Sequence, residues 1–149
     1  MTVREIVLLA AKILGIDEEV SAYFEGESNA MKRQAERLLS AFHLAECSLA
    51  LDYVPLHAED EVYAKYIKTT PGVVKVHYTY TPRVKELDEE CDFDLLSSDS
   101  ILVYGTLSEY CLGEGLVAEA AEWDRKWKDL IATIYHTEKC KRLGSRRWI

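Results

Sequence analysis

His43 and Cys47 stand four residues apart in LLSAFHLAECSLALD, a spacing that puts an imidazole and a thiol on one face of a helix. Two chemistries use such a pair. A metal ion takes both as ligands, but a closed zinc site needs two more, and neither His57 nor His77 has ligand spacing. A nucleophilic cysteine needs a histidine as base, and nothing in the local sequence marks one. The pair therefore reads as a core thiol beside a partly buried histidine. A second cluster is acidic: ELDEECDFD carries Glu86, Asp88, Glu89, Glu90, Asp92 and Asp94, six carboxylates in nine residues. It lacks the central glycine and the ligand spacing of an EF-hand calcium loop and reads as a solvated charge run. Trp123, Trp127 and Tyr135 form a third cluster, in which the four-residue step between the tryptophans is that of core packing. No GxGxxG, GxxxxGK[ST], GxSxG or HExxH motif occurs. From the residues, no catalytic, cofactor-binding or metal-binding group is expected, and the chain is expected not to be an enzyme.

One stretch breaks with the rest. KCKRLGSRRWI holds Lys139, Lys141, Arg142, Arg146 and Arg147 with no acid among them, and closes on Trp148 and Ile149. The whole chain has 26 acidic against 18 basic side chains; removing these five positive charges from the formal net charge of −8 leaves −13 on the other 138 residues. Such a body argues against general nucleic-acid binding, which needs a clustered positive face. The seven residues Lys139, Lys141, Arg142, Arg146, Arg147, Trp148 and Ile149 are instead expected to bind a protein partner. The arginines would make charge-assisted contacts, and Trp148 would be the desolvated anchor.

At 149 residues the chain has the length of one domain, and a domain of that size buries roughly two thirds of its unfolded surface. Hydrophobic residues at 48% and charged residues at 30% fit a folded globular protein rather than a disordered one. Cys47, Cys91, Cys111 and Cys140 are unevenly spaced and suggest no disulfide framework, so reduced thiols in a cytosolic setting are expected. The opening run MTVREIVLLAAKILG is broken by Arg4 and Lys12 and reads as neither signal peptide nor membrane span.

The elements that must carry these residues follow from periodicity. Thr2 and Glu5 form a capping box ahead of Val3, Ile6, Val7, Ala10, Ile13 and Leu14, a first helix closed by Gly15. DEEVSAYFEG predicts a short second helix. Ser28 is placed to cap a long third helix of roughly 25 residues, with Met31, Ala35, Leu38, Phe42, Ala45 and Leu49 as its seam, ending before Pro55. Leu39, Leu44, Cys47, Ala50 and Leu51 widen that stripe on its C-terminal half, which predicts burial on several sides. The period then changes to two: YAKYIKT, the turn Thr70-Pro71-Gly72 and VVKVHYTY predict a β-hairpin over about 63–80. Ser98 or Asp99 caps a fourth helix through Ile101, Leu102, Gly105 and Cys111, and a fifth runs from about Leu116 to Thr137, the two forming an antiparallel pair. The expected fold is α+β and mostly α, a bundle of three to four main helices with one small β-hairpin. A single domain over 1–138 is followed by a basic C-terminal arm over 139–149.

The order of pieces resembles a known family. A short capped helix, a long amphipathic helix, the hairpin YIKTTPGVVKVHYTYTP, an acidic loop, the helical pair YGTLSEYCLGEGLVAEAAEWDRKWKDLI and the tail SRRW look together like a tailed-bacteriophage or prophage head-tail connector (adaptor, or head-completion) protein. The resemblance implies a non-enzymatic structural protein that assembles as a ring, commonly a dodecamer, beneath the capsid portal, with C-terminal arms reaching toward that portal. Its implied partners are the portal protein, other connector proteins and copies of itself, with DNA passing through the channel and no membrane. Its implied location is the virion, after assembly in the bacterial host cytoplasm. Two other functions are compatible with the residues: a small helical adaptor binding a partner peptide in a groove lined by Trp123 and Trp127, or an enzyme in which His43, His57, His77 or His136 meets a carboxylate or thiol.

Overall fold

Thr2 holds extended backbone while its hydroxyl accepts from the Glu5 amide at 3.3 Å and the Glu5 carboxylate accepts from the Thr2 amide at 2.8 Å. This reciprocal cap starts α1 (Val3–Leu14), and Gly15, left-handed at φ 73°, ends it. The computed structural model describes residues 1–52, 64–66, 77–79, 81–91 and 100–142; for 64–66, 77–79 and 135–142 it describes the backbone alone. Helix α2 (Asp17–Phe24) follows directly, with Asp17, Glu18 and Glu19 at its positive end. Helix α3 (Lys32–Asp52) starts later than the cap at Ser28 predicts. The Ser28 hydroxyl accepts from the Ala30 amide at 3.2 Å, closing a local turn that delays the helix.

Residues Ala64–Tyr66 (β1) and His77–Thr79 (β2) pair antiparallel, Ala64 opposite Thr79 and Tyr66 opposite His77. The predicted turn Thr70-Pro71-Gly72, and the predicted caps Ser98 and Asp99, lie outside the described residues. Helix α4 (Ser100–Gly113) and helix α5 (Val117–Arg142) complete a mostly helical fold of five helices among the described residues.

Helix α4 is the hub. It buries Ile101, Leu102 and Val103 in succession and Gly105 to Ser108 in succession, so it has no solvent face over those turns, and it packs against α1, α3 and α5. Its polar groups are satisfied inside: Thr106 Oγ1 donates to the Leu102 carbonyl at 2.7 Å and Ser108 Oγ to the Ala120 carbonyl at 3.4 Å. Gly115, at φ 80°, makes the reversal into α5, and the two helices then run antiparallel, Ser108 beside Ala120 and Tyr104 beside Trp123. At their crossing with α3 the three helices nearly touch. A Cβ on Gly105 would lie 3.0 Å from both Ala45 Cβ and the Trp127 ring.

Of the seam predicted for α3, Ala35, Leu38, Phe42, Ala45 and Leu49 are core, whereas Met31 lies just ahead of the helix and is half-buried. Its widening is only partial, because Leu44 and Leu51 are 51% and 49% exposed. Trp127 is core and Trp123 half-buried at the α4–α5 contact, with its ring centroid 5.5 Å from that of Tyr104 and Lys126 Nζ 4.1 Å from its own. Both indoles thus serve the helix packing that their spacing predicts.

Candidate functional site

The residues singled out for partner binding begin on a helix. Helix α5 runs past Thr137 and past Lys139, the expected start of the arm, to Arg142, so the backbones of Lys139, Lys141 and Arg142 belong to its last turns. Nothing before Gly144 breaks a helix, and cations at a helix C-terminus are favoured by the exposed carbonyls there. Arg146, Arg147, Trp148 and Ile149 lie outside the described residues. Helix α5 has 26 residues against 14 in α4. Its buried Ile131 and half-buried Ile134 are followed by eight further helical residues, 135–142, a rise of about 12 Å. The first basic residues are thereby presented on a stiff extension.

The acidic segment does more than solvate. Its backbone carbonyls at Glu89 and Leu87 accept from the Val3 and Arg4 amides at 3.0 and 2.8 Å, donors that the first turn of α1 leaves without intrahelical partners. The Cys91 amide donates to the Met1 carbonyl at 3.0 Å. Side chains fasten the same seam. Arg4 Nε donates to Asp88 at 3.0 Å, and Arg83 donates to Glu89, whose carboxyl is held below its ordinary value chiefly by that guanidinium and then by the Glu86 amide. Among the described residues no group of three or more metal-ligating side chains gathers, and Asp92 and Asp94 are outside them.

Lys85 supplies the contact that sequence reasoning missed. It turns inward with its side chain 7% exposed, and its ammonium lies 2.6 Å from the carboxylate of Glu46, which is wholly buried on α3. Glu46 sits one residue before Cys47, so this buried ion pair borders the His43–Cys47 face. There Cys47 Sγ stands 3.7 Å from His43 Nε2, while His43 Nδ1 is buried with no hydrogen-bond partner among the described residues. Burial raises the thiol pKa, the Glu46 charge adds to the rise, and Lys85 opposes it. The thiol is therefore protonated at neutral pH and is a poor nucleophile as it stands. A cavity of about 340 Å³ opens nearby, lined by Val3, Leu39, Phe42, His43, Val84 and Lys85 among others, but Cys47 does not line it. His57 lies outside the described residues, and the side chains of His77 and His136 are not described.

Among the described residues no helix is long and apolar enough to cross a membrane. No protein-family model, no curated protein and no solved structure matches the chain.

Proposed function

We propose that this chain is a structural, non-enzymatic protein of a tailed-phage or prophage virion, a head-tail connector that assembles as a ring on the capsid portal. In this reading the ring holds twelve copies, its partners are the portal and the other connector proteins, and DNA passes through its channel. It assembles in the bacterial host cytoplasm and works in the virion. The β-hairpin over about 63–80 is part of the reading, as are the docking roles of Lys139, Lys141, Arg142, Arg146, Arg147, Trp148 and Ile149.

The observation that supports it most is the build of α5. A helix that outruns its partner α4 and carries Lys139, Lys141 and Arg142 on its last turns delivers a basic, Trp-tipped segment to a partner at small entropic cost. An acidic body suits a ring in the same way: it repels DNA that would wrap the outside and lets DNA slide through a lumen.

Deleting Gly144–Ile149 is expected to leave folding intact and to abolish incorporation into particles. Trp148→Ala is expected to weaken docking of the arm by about 2 kcal/mol or more. Full incorporation of the deleted chain, or absence of the intact chain from purified virions, would overturn the reading.

A further inference from the structure

Helices α1 and α2 pack side by side and leave between them an open cleft of about 760 Å³. Its floor is apolar, built from Met1, Leu8, Leu9 and Ala22, and Leu9 remains 40% exposed there. Its rim is acidic: Glu5, Asp17, Glu18, Glu25 and Glu27 face it, against Lys12 as the one base among its described lining residues. The side chains around the cleft thus carry a formal charge of −4. Apolar floor and charged rim are the anatomy of a protein-binding site, in which a buried anchor is surrounded by polar contacts.

We propose that this cleft receives the segment Lys139–Ile149 of a second copy of the chain. Charge complementarity selects the occupant. No other eleven-residue stretch of the sequence carries five bases without an acid, and the same stretch ends in Trp148 and Ile149, an indole and a branched aliphatic chain suited to the apolar floor. The elements select a second copy over the same chain. The segment leaves from α5, which packs on α4, whereas the cleft belongs to α1 and α2. Helix α5 continues for eight residues past Ile134, and the seven that follow reach at most about 25 Å. Donor arm and acceptor cleft are different surfaces, so the contact is heterologous, and repeating it generates a closed ring or a filament. The inference rests on the docking role given to the arm above and adds its receptor.

The test uses the full-length chain and a fluorescent peptide of the sequence KCKRLGSRRWI. The peptide is expected to bind the chain at low salt and to lose affinity as salt rises. Binding is expected to weaken at least tenfold in Glu18→Lys/Glu25→Lys, and less in the isosteric Glu18→Gln/Glu25→Gln/Glu27→Gln; circular dichroism confirms that both fold. A full-length chain with Arg146→Gln, Arg147→Gln and Trp148→Ala keeps an intact cleft, and the Glu18→Lys/Glu25→Lys chain keeps an intact arm. Sedimentation should show each alone as monomer and the mixture as a heterologous pair. Equal peptide binding by the cleft variants, or none at millimolar concentration, overturns the proposal. Failure of the mixture to associate when the cleft variants do lose the peptide assigns the cleft to the chain's own arm and overturns the second copy. Peptide binding by the portal protein alone removes the cleft as receptor and leaves the connector reading standing.

Discussion

Two seams hold the helices together, and they are made of different materials. Where α3, α4 and α5 cross, the contact is dry: Ala45, Gly105 and Trp127 meet with so little room that a single methyl group at position 105 would strike both neighbours. Where residues 81–91 lie across α1 and α3, the contact is polar: backbone carbonyls cap α1, Arg4 holds Asp88, and Lys85 reaches the buried Glu46. A dry junction is stabilised by area and dispersion and tolerates some exchange of shape at constant volume. A polar seam contributes little net free energy while whole and costs much when half of it is removed, because the group left behind is desolvated without its partner. The first kind of contact fixes that helices pack; the second fixes which segment lies where.

The largest expected effect follows from that asymmetry. Glu46→Ala leaves the Lys85 ammonium buried beside an apolar helix and should lower the unfolding free energy by about 3–5 kcal/mol, measured by urea denaturation. Replacing both groups, Glu46→Met with Lys85→Met, should restore most of that loss, since apolar pairs of similar volume often match or exceed a buried ion pair. If the double variant is as unstable as the single one, the pair is a net stabiliser and the contrast between the seams fails. Gly105→Ala probes the other side. The added methyl meets Ala45 Cβ, fixed to its helix backbone, and the Trp127 ring, which is buried in the core, and the expected cost is about 1–3 kcal/mol with the helical content retained. Neutrality there would mean the junction is looser than its 3.0 Å approach indicates.

The same division explains what was legible in the sequence. Apolar spacing of three and four located α1, the buried seam of α3 and the packing role of Trp123 and Trp127, because burial of a helix face imposes its period on the residues that form it. The Thr2–Glu5 cap was equally visible, being a local contact between residues three apart. Lys85–Glu46 was not, since its partners are 39 positions apart and each alone looks like an ordinary surface charge. The cleft was hidden for the same reason: its carboxylates come from two helices and an adjoining turn, and only the α1–α2 packing brings them to one rim. Helix α5 runs beyond the Thr137 that its apolar set predicts, because the cationic residues that follow favour continuation of a helix toward its negative end.

Smaller effects sharpen the polar seam further. Thr2→Ala removes the side-chain acceptor from the Glu5 amide and should cost about 1 kcal/mol. That cost should not grow when Asp88 is also replaced by Asn, because the cap and the Arg4–Asp88 contact use different donors.

The weakest expected effect is on pH. Glu89 is half-buried, and its folded pKa lies below the ordinary 4.5, chiefly through the Arg83 hydrogen bond and next through the Glu86 amide. A depressed carboxyl stabilises the fold at pH values above its unfolded pKa, and that contribution is lost as pH falls through the lower folded one. Stability should therefore decline on the acid side of pH 4.5, and Arg83→Met should flatten the share of the decline that belongs to Glu89 while moving its titration, followed by carboxyl chemical shift, back toward 4.5. An unchanged titration in Arg83→Met would transfer the depression to the Glu86 amide. The turn itself, rather than the ion pair, would then be what keeps residues 86–89 in place beneath α1.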